Sequence, residues 1–434
     1  MLRLRQEGKD KSQRKEGGKE EIGFISWKEK TGFQILSNMK ENPLKKERAR
    51  EQVLGCMVGG AAGDALGYAV EFDSWNTIKS KYGQKGITRY QLDGHGMARI
   101  SDDTQMSLFT AAGILLGMTR MYTRGIMGRL DTYCRWTYID WLHTQQWRLR
   151  HDDARVDSWL MDVPQLYSRR APGNTCMSAL MDLEQEKEVI NNSCGCGGVM
   201  RTAPVALLSY IHGYANGDRL FCDMCAAEAA RITHKHPLGF IPSAILNDIL
   251  MEIMSDKDNP DFRLDYYVSQ ALERLPQIKS EEDGNETYGK LWPEHIQKQK
   301  DLINKALDLA GSDIPDPEAI ESIGGGWTGH EALAIALFSA ARHSRSFEDA
   351  IISSVNHSGD SDSTGAVCGN IMGCLLGRSA IPSHFTENLE LLDVIEEIAD
   401  DIFTGCIISE HDFTRTPEKD RWEMKYVKHR WTRP

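Results

Sequence analysis

The chain has 434 residues, 41% of them hydrophobic, with 51 Lys plus Arg against 63 Asp plus Glu for a formal charge of -12. That is ample material for one large core or for two or three ordinary domains, and the acidic balance argues against general nucleic-acid binding. No apolar leader opens the sequence and no run approaches the roughly 18 apolar residues of a membrane span; the ten cysteines lack the spacing of a secreted disulfide scaffold, so reduced thiols in a cytoplasm are expected.

Residues 1–48 are rich in Lys, Arg, Glu and Gly, and residues 1–50 carry about six net positive charges. Only Ile22–Trp27 and Phe33–Met39 are apolar there. The composition predicts a basic, flexible extension: either a solvated tail or an arm whose islet docks on a partner. From residue 49 to about 410 apolar residues recur at helical spacing and few stretches alternate as strands do, so the body is predicted to be all-α. Gly55, Gly59, Gly63 and Gly67 recur every fourth residue, as do Gly365, Gly369, Gly373 and Gly377. Each glycine costs a helix about 1 kcal/mol, and close approach of two helices along the glycine stripes is the simplest offset. Cys222 and Cys225 sit in a helical run, and Cys194 and Cys196 have the wrong spacing to complete a zinc site with them. Residues 276–300 are polar and predict a long loop with a helix restarting near His295. Residues 411–434 predict a basic tail.

Two acidic clusters carry most of the chemistry. Ser101-Asp102-Asp103-Thr104 precedes a helical run over Met106–Met118, and Gly359-Asp360-Ser361-Asp362-Ser363-Thr364 precedes another over Ala366–Leu376. Ser and Asp at such places cap helices and complement the macrodipole. Each cluster nevertheless holds more carboxylates than a cap needs, and adjacent buried carboxylates repel unless cations lie nearby. Oxygen donors at this density suit Mg²⁺ or Mn²⁺, and two converging clusters could hold two metal ions. The glycine-rich stretch from Asn191 to Arg201 is either an ordinary turn or a cradle of backbone N–H groups for a pyrophosphate. His234 and His236 in Thr233-His234-Lys235-His236-Pro237 would not share a helix face; hydrogen bonding to a ligand and a structural role are both open. Trp327 either stacks on a base or belongs to the core.

Taken in order, Gly63-Asp64-Ala65-Leu66-Gly67 with Glu71, Ser101-Asp102-Asp103-Thr104, Pro172-Gly173-Asn174-Thr175, Gly197-Gly198-Val199-Met200-Arg201, Thr233-His234-Lys235-His236-Pro237, Gly326-Trp327 with Glu331-Ala332-Leu333, and Gly359–Gly365 resemble the ADP-ribosylglycohydrolase family over about residues 49–408. The resemblance implies a compact all-α domain with two Mg²⁺ or Mn²⁺ ions in a central cleft. It makes Ser101, Asp102, Asp103, Asp360, Asp362 and Ser363 the metal ligands and places Glu71 beside the metals. It also assigns Asn174, Gly197, Gly198, Val199, Met200, His234 and Trp327 to ADP-ribose binding. The implied reaction is release of ADP-ribose from a modified protein side chain, with the Gly-Asp-Ser-Asp-Ser-Thr-Gly form resembling the arginine-specific branch. Asp103 and Glu71 are the candidates for the catalytic acid. An alternative expectation is an immunity protein that blocks an ADP-ribosyltransferase toxin through residues 1–48.

Overall fold

The computed structural model describes residues 43–431, apart from 127, 149–154, 214–217, 256–263 and 278–285. The extension and its apolar islets therefore lie outside the described residues, except that the first helix already begins at Pro43. Sixteen α-helices and several short 3-10 turns make up the described chain. In order they are α1 (Pro43–Tyr68), α2 (Trp75–Tyr82), α3 (Asp102–Arg124), α4 (Leu130–Gln145), α5 (Asn174–Glu184), α6 (Ala203–Ile211), α7 (Arg219–Arg231) and α8 (Pro237–Ser255). Then follow α9 (Leu264–Arg274), α10 (Glu286–Ala310), α11 (Asp316–Ile323), α12 (Gly329–Arg342), α13 (Phe347–Val355), α14 (Ser361–Leu376), α15 (Leu392–Thr404) and α16 (Pro417–Tyr426). The only extended pairing among the described residues is two isolated bridges, Ala98 with Leu389 and Gly195 with Thr328. The expected all-α class is what the chain adopts.

The glycine stripes explain the centre of the molecule. Helices α1 and α14 make the most extensive helix pair in the fold, and along their seam Gly55 faces Gly373, Gly59 faces Gly369, and Gly63 faces Gly365. A methyl group added at Gly63 would enter the carbonyl of Gly365, and one added at Gly365 would enter that of Gly63. With no Cβ between them the two backbones touch, and the dispersion contacts of a long seam offset the poor helix propensity. Nearly every residue of α1 from Gln52 to Gly67 is buried, as is α14 through Leu375. This pair fixes the two ends that matter for chemistry, because α14 starts at the second acidic cluster and α1 ends just before Glu71.

Three local readings of the sequence are refined. Helix α10 begins at Glu286, so much of the region expected as loop is helical, with Pro293 inside it. The segment expected as a tail is docked: α16 buries Trp422, Lys425 and Tyr426, the Trp422 indole donates to Thr119 Oγ1 at 3.0 Å, and the Lys425 ammonium pairs with Glu397 and Asp401 on α15. Charged residues at six of the ten positions of α16 hid this apolar face from a reading of periodicity. Helix α8 is long and apolar enough to cross a membrane by length and composition, and it is buried within the fold against α6, α7 and α12.

Candidate active site

The first acidic cluster sits where a short extended segment meets α3. Ala98 N–H donates to Asn388 O at 2.8 Å and Glu390 N–H donates to Ala98 O at 3.0 Å, pinning the segment from one side. The buried Glu390 carboxylate accepts from Ile100 N–H at 3.2 Å and from Arg170 at 3.0 Å, and pairs with Arg99. Ser101 is the N-cap of α3, its Oγ accepting Asp103 N–H at 3.1 Å. From the other side Asp64, fully buried near the end of α1, accepts Ser101 N–H at 2.9 Å and Thr104 N–H at 3.1 Å, and bonds the Thr104 hydroxyl. The capping role anticipated for these residues is real, and it holds Asp102 and Asp103 rigidly.

The second cluster is built the same way. Asp360 is the N-cap of α14, accepting Ser363 N–H at 3.3 Å, and Asp362 accepts the same N–H at 2.9 Å. Oxygens of Glu71, Asp360 and Asp362 lie within 4.8 Å of one another, all three residues buried. The charge of Asp362 raises the pKa of Asp64, Asp102 and Asp103, Asp64 adds to the rise at Asp102 and Asp103, and the Ser101 hydroxyl hydrogen-bonds Asp362. So the two clusters, whose aspartates lie 257 or more positions apart in sequence, converge with Glu71 beside them. Ser363 is buried beside them, its hydroxyl near Met200 Sδ.

The electrostatics of this centre are one-sided. Burial first and neighbouring carboxylates second push Asp64 up to about 7 and Glu71 up to about 10, and raise Asp102, Asp103 and Asp360 well above the usual carboxylate range. Among the described residues no lysine or arginine pairs with any of these five or with Asp362. Glu71 Oε2 and Asp103 Oδ2 are buried without a hydrogen-bond partner. Orphaned buried carboxylate oxygens are rare and costly, and a set of hard oxygen donors with no counter-charge is what a divalent cation fits.

Beside the acids lies the glycine loop, a 3-10 turn over Cys196–Arg201. A Cβ at Gly197 would meet Cys176 Sγ and His234 Cε1, each at 2.9 Å, so only glycine fits between them. Gly198 packs as closely on Gly239 O. Val199 and Met200 have their side chains in the core, which leaves the backbone of this loop, not those side chains, for a ligand. Asn174 is exposed as the first residue of α5, next to Gly173, whose N–H points at Asp102 Oδ2 at 3.4 Å.

His234 is placed by a relay that the sequence did not announce. Fully buried Arg201 donates to Thr233 Oγ1 at 2.6 Å, and that hydroxyl lies 2.9 Å from His234 Nδ1. With Arg201 taking a lone pair of the threonine, the hydroxyl proton goes to Nδ1, its nearest acceptor, which assigns the ring proton to Nε2. Nε2 is the atom beside Gly195 and Gly197. Burial, then Arg201, lowers His234 to about 3, so the ring is a neutral donor aimed at the glycine loop. His236 lies apart, edge-on to His295.

Trp327 is not a core residue. It is about half exposed, and its ring stacks on that of Phe72. Its carbonyl accepts Cys196 N–H at 3.2 Å, while Gly325 O accepts Asp360 N–H at 2.9 Å, so the loop 324–328 ties the glycine loop to the second acidic cluster. The Cys196 thiol donates to Asp360 Oδ2 at 2.8 Å. Asp64, Glu390, Arg201 and Cys196 are the positioning residues that sequence reasoning left without a role; the signal for Asp64 was its place in the Gly63–Gly67 motif, for Arg201 and Cys196 their place in the glycine-rich stretch, and for Glu390 there was none.

The described residues thus form an all-helical domain with a buried carboxylate centre beside a glycine-rich loop. The comparisons make this specific: the family model for ADP-ribosylglycohydrolase matches residues 45–411, and the chain belongs to that family. Its chemistry is hydrolytic removal of ADP-ribose. The chain is 25% identical over 403 residues to ADP-ribosylhydrolase ARH1 of Dictyostelium discoideum, covering 81% of this chain and 94% of that one. It is 23% identical over 354 residues to ADP-ribosyl-[dinitrogen reductase] glycohydrolase of Rhodospirillum rubrum, covering 79% and 91%. A solved structure titled ADP-ribosylglycohydrolase-related protein complex shares the fold, with a TM-score of 0.54 and 22% identity over 82% of this chain and 99% of that one.

Proposed function

We propose that the protein removes ADP-ribose from arginine side chains of modified proteins, using two divalent cations, Mg²⁺ or Mn²⁺, held by Ser101, Asp102, Asp103, Asp360, Asp362 and Ser363. The observation that carries the reading is the convergence of six buried carboxylates, those of Asp64, Glu71, Asp102, Asp103, Asp360 and Asp362, with no basic partner among the described residues. When bound, the cations supply charge stabilisation and orientation at the ribose hydroxyls. The glycosidic C–N bond breaks through an oxocarbenium-like transition state; one water delivers oxygen to the anomeric carbon and a proton to the guanidine that departs. Asp103 and Glu71, each with an unpartnered carboxylate oxygen, are the groups assigned to move that proton. Backbone N–H groups of Gly197 and Gly198 and the neutral Nε2–H of His234 receive the pyrophosphate. The Rhodospirillum relative's name puts its ADP-ribose on a protein, and the Gly359–Gly365 sequence favours the arginine linkage. The enzyme opposed would be an ADP-ribosyltransferase, a toxin among them, acting in the same cytoplasm.

The test is incubation of the purified protein with arginine- and serine-ADP-ribosylated proteins, in Mg²⁺ or in EDTA. Release is expected from the arginine conjugate in Mg²⁺ alone. Faster release from serine overturns the linkage, and full turnover in EDTA overturns the metal requirement.

A further inference from the structure

Phe72 follows Glu71 directly in the chain, and Phe72 is 75% and Trp327 46% exposed. Their rings are stacked, with centroids 6.1 Å apart and planes at 22°. Two large aromatic rings standing together in water are not a product of folding, since neither contributes to the core. Paired, rigid aromatic surface of this kind marks a binding site. Both rings are anchored to the chemistry. Phe72 extends from the buried Glu71, and Trp327 sits on the loop whose backbone bonds Cys196 and Asp360.

Position and charge say what the rings receive. In the reading given above Glu71 moves a proton at the bond that breaks, so rings beside Glu71 would meet what is attached to the anomeric carbon. A cationic, planar group suits them. Its positive charge and flat face suit stacking on an aromatic ring within about 6 Å of the centroid. We propose that Phe72 and Trp327 form the seat of the leaving side chain and read the planar guanidinium of a protein arginine. This proposal rests on the arginine-linked reading given above and makes the aromatic pair the determinant of that linkage.

Three measurements on the Mg²⁺-loaded protein test it, with Phe72→Leu, Trp327→Leu and the double variant. KM for an arginine-ADP-ribosylated protein should rise about five- to tenfold in each single variant, the loss of one stacked cation contact. The affinity for free ADP-ribose, measured by calorimetry, should stay within about twofold because that ligand has no guanidinium. Agmatine should inhibit the wild type more strongly than butylamine and lose that advantage in the double variant; Phe72→Tyr should retain it. A parallel loss of ADP-ribose affinity would make the pair a seat for the base and overturn the proposal, as would an unchanged KM. If the wild type instead prefers serine-linked substrate, the linkage reading fails, and the agmatine series then decides the seat: guanidinium binding lost in the double variant upholds it, and absence of such binding overturns it.

Discussion

Asp64 and Thr233 show how single buried residues set the chemistry without touching it. Asp64 accepts three bonds from the Ser101–Thr104 turn, and so keeps Asp102 and Asp103 in place while its own charge adds to the uncompensated centre. Removal of one carboxylate from the converging set should break cation binding outright: Asp362→Ala is expected to abolish Mg²⁺ binding by calorimetry and most activity, while circular dichroism stays helical. Unaltered Mg²⁺ affinity in that variant would remove Asp362 from the site. Thr233→Val deletes the hydroxyl that joins Arg201 to His234. It should free the ring to adopt the other tautomer and lower ADP-ribose affinity about three- to tenfold, the worth of one hydrogen bond. It should also cost about 1–3 kcal/mol of stability, because a buried guanidinium loses an acceptor. Denaturant melts and calorimetry read the two effects separately.

At the scale of elements, the α1–α14 seam is the structural commitment of the fold. Gly63→Ala places a methyl group into the Gly365 carbonyl, where neither backbone can yield without parting the helices. A loss of about 3 kcal/mol or failure to fold is expected, whereas Gly94→Ala, with nothing within 4 Å of the added atom, should change stability by less than about 0.5 kcal/mol. Equal melting midpoints for the two variants would mean that the seam relaxes. Because α14 starts at Asp360 and Glu71 closely follows the end of α1, partial parting should weaken cation binding in step with stability. The C-terminal helix α16 is a second such commitment. Deleting residues 411–434 uncovers Thr119 and strips Asp401 of Lys425 and Tyr426, so a lower melting temperature is expected, against no change for a solvated tail.

Across the whole molecule, cations and protons compete for the same centre. Asp64 and Glu71 have folded pKa values near 7 and 10, above those of an unfolded chain, near 4. Their contribution to stability is complete at acid pH and is lost as pH rises through 7 towards 10. The metal-free protein should therefore lose stability between pH 5.5 and 8.5, and Mg²⁺ should raise the melting temperature more at pH 8.5 than at 5.5. The buried histidines work in the opposite direction. Burial holds His212, His330 and His357 near 4, so their contribution is present above pH about 6.5 and lost as pH falls towards 4. Thermal scans over pH with and without EDTA should show a metal-free optimum at mildly acid pH that moves upward with Mg²⁺. An optimum unmoved by Mg²⁺ would contradict the carboxylate centre as the cation site.

The amino-acid order alone determined the all-α class, the glycine seam and the two acidic clusters, since helical periodicity, four-residue glycine spacing and oxygen-rich helix starts are local patterns. It also pointed to the loop over Gly197–Met200 and to His234. Tertiary structure decided what local pattern cannot encode: that clusters from distant segments meet over Glu71, that Val199 and Met200 face the core and leave only backbone at the cradle, and that Trp327 stands in water against Phe72. The reason in each case is burial. A side chain's charge, tautomer and availability depend on the dielectric and partners brought to it from elsewhere in the chain. Asp64 among three N–H and O–H donors and Arg201 behind Thr233 acquire their roles only when those partners arrive.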